Sequence, residues 1–382
     1  MDCDVAIVGA GPAGCAAAFD LARRRVAVLL VDRHLFPRFK ACGGGLTAKT
    51  LKALRYSVRP VIERTFSNLR ISDHHHFERI LPSRYPICAM TDRAKFDDYC
   101  LQQTMNAGVR FTRIDRLTSI RDGEEFVEIE TDAGVIRSRF LIGADGADSR
   151  VRHLSGHTEP RHRALAIEAQ IPWRGNPIEM TFDFNVVAGG YGWIFPKSDH
   201  LNVGLYTCLP TTRITPEDVS AYTQRRLGIA ATHAKGHRIG IGGWEYQPAS
   251  RRILLAGDAA GMADPLLGEG IAYAIRTGQA AAAAIADDLA GRSAARKNYR
   301  RLLRPIQRDL SSLWSAARRF HAHPSRGYAL LTSPYVRKVL MRGFARGASF
   351  RAMKWAGWWQ FLQPAPEWDS LPGISGPILP NV

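Results

Sequence analysis

"CDVAIVGAGPAGCAAAFDLARRRVAVLLVDR", residues 3–33, decides how the chain folds. Val5, Ile7 and Val8 belong to a continuous apolar run, the pattern of a parallel strand covered on both faces. Gly9, Gly11 and Gly14 follow in the spacing G-x-G-x-x-G. An alanine-rich helical stretch comes next, then a second apolar run, VAVLLVD, which ends in Asp32. Each glycine has its own reason. Gly9 permits a tight turn, Gly11 lets a pyrophosphate approach the backbone, and Gly14 lets the helix pack close to the strand. Unpaired N–H groups at the helix start face the phosphates. Asp32, with Arg33 beside it, stands where a carboxylate accepts hydrogen bonds from a ribose diol. Strand, turn, helix, strand and acid in this order predict a dinucleotide site, without separating NAD from FAD.

Two later stretches decide for FAD. In "FVEIETDAGVIRSRFLIGADGADSRVR", residues 126–152, alternating apolar residues flank the turn TDAG and predict a hairpin. The run FLIGADG then reads as another buried strand ending at Asp145 and Gly146. In "RRILLAGDAAGMADPLLGEGIAYAIRTGQAAAAAIADDL", residues 251–289, a short strand ends at Gly257 and Asp258, and a loop with Pro265, Gly268 and Gly270 leads into a long alanine-rich helix. Asp258 at a strand end suits a ribityl hydroxyl. Gly268 and Gly270 let backbone amides approach a flavin ring, and the positive end of the helix favours the ring edge that collects charge on reduction. A plain NAD fold has no use for this distant element. Between them, "TDRAKFDDYCLQQTMNAGV", residues 91–109, predicts a helix capped by Thr91 or Asp92 and stopped by Gly108, with Arg93 placed to bind the dinucleotide.

Composition narrows the remaining classes. The chain has 382 residues, 46% of them hydrophobic, enough for a large core. Six cysteines at irregular spacings include no C-x-x-C pair, which argues against a zinc site or disulfide framework and for a reducing, cytoplasmic compartment. Asp2 and Asp4 stand where a signal peptide would carry basic residues, and no run of 18 apolar residues occurs. Three consecutive histidines, 74–76, cannot share one strand face, so no metal site is expected. Fifty-two Lys and Arg against 35 Asp and Glu leave a net charge of +17, which points to an anionic partner or to plain arginine usage. From Leu303 to Phe361 there are eleven Arg or Lys and a single acid, Asp309, with Trp314, Trp355, Trp358 and Trp359 interleaved. Basic amphipathic helices are expected there. They suit an anionic membrane surface, placing the protein peripherally at the inner membrane, or an acidic protein, a diphosphate, or simple packing on the flavin domain. No nucleic-acid-binding module is present.

Four segments, VGAGPAGCAAA, PRFKACGGG, YGWIFPKSDHLNVG and GDAAGMADPLLGEGIAYA, together resemble the geranylgeranyl reductase family of FAD-dependent oxidoreductases, within the para-hydroxybenzoate hydroxylase superfamily. PRFKACGGG resembles the family's Pro-x-x-Tyr-x-Cys-Gly-Gly, carried by Pro37, Phe39, Cys42, Gly43 and Gly44, with Phe39 taken as the counterpart of the tyrosine. The resemblance implies that this loop passes close to the flavin, with Gly44 lying against it and Cys42 beside the substrate. Lys40 is expected to lower the thiol's pKa. Tyr191, Trp193 and Phe195 alternate along one strand face and make an aromatic wall or a core hairpin, and Tyr206 replaces a family glycine there.

The expected fold is therefore α/β (α+β overall): a Rossmann-like FAD-binding domain with a parallel sheet from residues 1–55, 90–155 and 250–290, an inserted antiparallel-sheet substrate domain from 56–89 and 156–249, and a basic helical C-terminal region and tail, 291–382. The resemblance implies reduction of an isoprenoid C=C bond by hydride from flavin N5, with Cys42, Tyr191 and Trp193 forming the catalytic pocket. The alternative is hydroxylation of an aromatic substrate, free or within a protein. The glycine cluster 240–243 lacks a strand before it and a helix after it, so NAD(P)H or another donor is expected to bind only transiently.

Overall fold

The structure is a computed structural model that describes residues 1–74, 77–158, 162–355 and 366–377. Cys3–Val8 forms the central strand of the first sheet, parallel to Val28–Asp32 on one side and to Gly134–Gly143 on the other. Arg110–Arg113 extends the sheet past Val28–Asp32, also in parallel. The far edge of Gly134–Gly143 is shared. Ile253–Leu255 runs parallel to its end, and the hairpin partner Val127–Thr131, followed by Leu117–Asp122, lies antiparallel along its start. Val5, Ile7, Leu30, Leu141, Ile142 and Leu254 are completely buried, as residues of a parallel sheet covered on both faces must be.

The Pro12–Ala22 helix packs against Ile271–Leu289 and Arg93–Asn106. Gly278 allows the first of these contacts, since a Cβ there would fall 2.2 Å from the Ala13 carbonyl oxygen. Asp92, not Thr91, caps Arg93–Asn106, accepting from the N–H groups of Ala94 and Lys95 at 2.8 and 3.2 Å.

The second sheet runs Lys235–Ile241, His162–Pro172, His200–Thr207, Gly190–Pro196, Thr181–Phe184, Leu69–Asp73, Phe77–Leu81. It is antiparallel but for one pair: Thr181–Phe184 and Leu69–Asp73 meet in parallel, because the sheet is joined there from two separate insertions. Part of the first insertion goes elsewhere, since Arg64–Phe66 and Cys88–Met90 build a small sheet with Gly45–Thr47. Contrary to the sequence reading, the glycine cluster 240–243 does have a strand before it: Lys235–Ile241 takes in Gly240, and Gly242 and Gly243 follow it, though no helix comes after them.

Four helices continue the chain: Ala295–Ala322, Pro324–Thr332, Pro334–Arg346 and Phe350–Trp355. Prolines at the first position start the second and third, where a missing N–H costs no helix hydrogen bond. The first helix belongs to the core. It buries Tyr299, Leu303, Ile306 and Leu310 against Ile271–Leu289, and the Tyr299 hydroxyl donates to the Leu255 carbonyl at 2.7 Å. The lone acid Asp309 is buried and accepts from the Tyr273 hydroxyl at 2.8 Å. Among the described residues no helix is long and apolar enough to cross a membrane and no cluster of metal ligands occurs. His75, His76, Trp358, Trp359 and both ends of the tail that follows Phe361 lie outside the described residues.

Candidate active site

A cavity of about 910 Å³ lies between the two large sheets, and the glycine turn forms one end of it. The three glycines are required for different reasons. Gly9 has φ +104°, and a Cβ there would lie 2.3 Å from the Ala144 carbonyl oxygen. At Gly14, behind the cavity wall, a Cβ would lie 1.8 Å from the Gly9 carbonyl oxygen. At Gly11 the backbone is extended and an added Cβ would meet nothing nearer than Arg38 Nη2 at 3.8 Å. The first two are demanded by the protein's own packing. The third leaves backbone bare toward the cavity, as a closely approaching ligand requires.

The groups around that turn suit an anion. Arg38 pairs through Nη2 with Asp97 at 3.1 Å, while its buried Nε has no hydrogen-bond partner among the described residues. A buried guanidinium N–H left open beside a bare glycine backbone fits a pyrophosphate. Arg93 is buried and clamped by both Asp97 oxygens at 2.9 and 2.8 Å; burial works against its charge, and Asp97 and Cys42 more than restore it. The sequence reading singled out Arg93 and passed over Arg38, whose only signal was a basic residue shortly after Asp32. Asp32 itself is pinned: Oδ2 accepts from the Ala10 N–H at 2.8 Å and Oδ1 from the His34 N–H at 2.9 Å. It faces the cavity with Arg33, so its remaining lone pairs are open to a diol.

The other half of the cradle comes from residues 145–152 and 257–270. Asp145 lines the cavity, but its carboxylate is engaged by the Ser149 hydroxyl at 2.5 Å and the Val151 N–H at 3.1 Å, which makes it a turn-builder first. Arg152 is buried and ties the two segments together, donating to the Ala259 and Ala147 carbonyls, each at 2.9 Å. Gly257, Asp258, Gly268 and Gly270 all face the cavity, and Gly270 opens the Ile271–Leu289 helix toward it. Pro265 does not. It sits behind the wall, where its carbonyl accepts the Tyr206 hydroxyl at 2.9 Å, so it shapes the site through Tyr206.

The glycine loop 43–45 is held by a lysine just past the aromatic strand Gly190–Pro196. Lys197 is buried, and its ammonium donates to the carbonyls of Gly43 at 2.6 Å and Thr91 at 3.1 Å. Burial lowers its pKa. The loop needs glycine: a Cβ on Gly43 would sit 2.6 Å from the Phe195 ring, and one on Gly44, φ +65°, 2.1 Å from the Thr91 carbonyl oxygen. Cys42 is half-buried, its sulfur 3.4 Å from the Gly44 nitrogen. The cations facing it are Arg93 and Lys197 as well as Lys40.

Phe39 is not the counterpart of the family tyrosine. Counting Pro-x-x-Tyr from Pro37 arrives at Lys40, and the geometry agrees: Phe39 is 50% exposed with Lys235 Nζ 4.3 Å from its ring centre, whereas Lys40 turns inward. Burial, then Arg93, pushes Lys40 down to about 8. Its ammonium meets His237, 3.1 Å from Nδ1, and burial with Lys40 pushes that imidazole to about 3, so it stays neutral.

Tyr191, Trp193 and Phe195 do share one face, and Phe182 and Tyr206 complete an aromatic wall, with ring centres 5.0 Å apart for Phe182–Tyr191 and 5.1 Å for Tyr191–Tyr206. The Tyr191 hydroxyl donates to the Leu267 carbonyl at 2.5 Å. The Trp193 indole donates to Asn202 Oδ1 at 2.7 Å, and the Asn202 amide donates to Glu168 Oε2 at 3.0 Å. Glu168 also accepts from the Cys42 N–H, and burial pushes its carboxyl up to about 7. Sequence reasoning missed this residue, which sits in an ordinary alternating strand with no motif around it. Beyond the aromatic wall the cavity reaches the C-terminal helices, where Leu313, Phe320, Leu331, Leu340, Phe344 and Phe350 line it.

The sequence pattern of the FAD-binding domain family matches residues 2–308. The chain belongs to that family. It is 28% identical to a geranylgeranyl diphosphate reductase of Rhodobacter capsulatus, covering 74% of this chain and 75% of the relative. It is 29% identical to a menaquinone reductase of Mycolicibacterium smegmatis, over 73% and 75%. Among solved structures, the flavin-dependent brominase Bmp2 superposes with a TM-score of 0.74 at 20% identity, over 95% of this chain and 98% of that one, a likeness of fold. The chain is an FAD-dependent oxidoreductase, and the resemblance to geranylgeranyl reductases read from its four segments holds. The bare Gly11 backbone and the open Arg38 Nε fit the dinucleotide's phosphates, Asp32 its ribose, and Asp258 with Gly268 and Gly270 its ring end.

Proposed function

We propose that this enzyme saturates C=C bonds in the prenyl chain of a lipid-like substrate. The observation that carries the reading is the continuity of the cavity: it passes from the cofactor cradle along the aromatic wall of Tyr191 and Trp193 into an apolar end built from the C-terminal helices. A long hydrocarbon chain gains about 25 cal/mol for each Å² of apolar surface it hides there. FAD, once reduced by NAD(P)H or another donor, supplies the hydride. The chain's own residues do the rest. Lys197 holds the Gly43 carbonyl and so fixes the loop carrying Cys42. The aromatic wall aligns the alkene, and the helices exclude water.

The same helices present Arg318, Arg319, Arg326 and Lys338 to solvent beside exposed Leu330 and Tyr335. We read this outer face as the surface that meets an anionic membrane from which the substrate is drawn. The deciding experiment is anaerobic turnover of the reduced holoenzyme with geranylgeranyl diphosphate and with a prenylated quinone, read by mass spectrometry. Gain of H₂ per double bond is expected. Gain of oxygen, when air is admitted, with no saturation would favour hydroxylation of an aromatic substrate instead.

A further inference from the structure

We propose that Glu168 is the proton donor of the reaction, delivering H⁺ from its carboxyl group to the alkene carbon that does not receive the hydride. This rests on the reductase reading above and assigns the half of the chemistry that the cofactor leaves to the protein. One alkene carbon accepts hydride from the reduced cofactor while its neighbour takes the proton. The π bond breaks, two C–H bonds form, the cofactor is left oxidised and Glu168 is left as a carboxylate that water reprotonates.

The placement argues for it. Glu168 lies on His162–Pro172, is 4% exposed, and lines the cavity between the Cys42 loop and the aromatic wall. Its hydrogen bonds come from neutral donors, the Asn202 amide and the Cys42 N–H. Through Asn202 it is coupled to Trp193, and through Cys42 to the loop that Lys197 fixes. The other acids at the cavity are otherwise engaged. Asp32 and Asp145 are bound up in their turns, Asp115 and Asp148 pair with arginines, Asp258 faces Lys40 and Glu269 pairs with Lys49; Asp264, which burial also pushes up to about 7, is held by the Leu266 N–H at 2.6 Å on the Lys49 side of the cavity.

The charged groups around Glu168 leave it able to stay protonated. Lys197, just past Gly190–Pro196, is directed to two carbonyls, and Arg93 to Asp97. Lys235, directly opposite in register, sits over the Phe39 ring, and the Cys42 thiol faces Arg93. With burial dominant, the acid form persists up to a pH of about 7. General acid catalysis requires that form, so the rate of saturation falls as pH rises through that value.

The test compares wild type with Glu168→Gln, which keeps the shape and the hydrogen-bond partners but has no acidic proton. In the oxidised holoenzyme, infrared difference spectra are expected to show a protonated carboxyl band that fades as pH rises through about 7 and is missing in the variant. Under anaerobic single turnover with geranylgeranyl diphosphate, the variant is expected to saturate about a hundredfold more slowly, with photoreduction of its flavin and substrate binding unchanged. A variant within about threefold of wild type overturns the proposal, because a general acid contributes far more than that. So does the absence of the carboxyl band at neutral pH. A wild-type enzyme that saturates no prenyl bond overturns the reductase reading and the proton transfer together, whereas a wild-type rate of saturation that does not fall as pH rises through about 7 would strike only at Glu168.

Discussion

The cradle and the chamber are built by opposite means. At the glycine turn the ligand meets backbone: bare amides, a turn that tolerates no Cβ at Gly9 or Gly14, and one glycine, Gly11, left open to the cavity. In the chamber the ligand meets side chains, contributed by strands at 181–206, by Glu168, and by helices more than a hundred residues further on. Backbone recognition needs residues close in sequence and reads as a motif. Side-chain recognition assembles from distant positions, each of which looks ordinary in its own strand or helix. The cradle is thus fitted to one cofactor, while the far end of the chamber, built from the C-terminal helices, is expected to be reshaped without disturbing it.

The sharpest way to break this contrast lies within the glycine turn. Gly14→Ala would drive a methyl into the Gly9 carbonyl and is expected to destabilise the whole domain by about 3 kcal/mol, seen as a large drop in Tm without added FAD. Gly11→Val occupies an unstrained extended backbone with open space around it, so the apoprotein should melt at the wild-type temperature while FAD affinity falls about a hundredfold, close to 3 kcal/mol. Equal effects of the two substitutions on apoprotein Tm would erase the distinction between packing glycines and ligand-facing ones.

A smaller effect is expected at the far end. Leu340→Trp fills the apolar chamber from the Pro334–Arg346 helix and should raise KM for a geranylgeranyl substrate about tenfold, with FAD affinity unchanged. If FAD binding fell equally, the chamber and cradle would not be separable. Smallest of all, Phe39→Tyr should alter neither stability nor saturation rate by more than about 0.5 kcal/mol, since the ring is half exposed at the rim. A marked gain in rate would restore Phe39 as the counterpart of the family tyrosine and displace Lys40 from that place.

Much of the cradle was readable in advance because its determinants are local. The spacing of Gly9, Gly11 and Gly14, the acid ending the second strand, and the glycine-rich start of the Ile271–Leu289 helix are each contained in a short stretch. What escaped notice were residues whose role depends on a single neighbour remote in sequence. Arg38 matters because it lies over Gly11 and Asp97. Lys197 matters because its ammonium crosses to Gly43. Pro265 was assigned to the cofactor and proves to support Tyr206. The basic C-terminal third was read from its charge, yet its apolar faces close the cavity, because a helix turns one side to the core whatever its other side carries.

The sequence alone determined that a flavin dinucleotide would be held at the ends of parallel strands, because continuous apolar runs and obligatory glycines are written into consecutive residues. Only the tertiary structure decided which acid lines the cavity between the Cys42 loop and the aromatic wall, and how far the chamber extends. Burial and proximity are properties of segments brought together, and neither exists until the two sheets and the final helices have closed on one another.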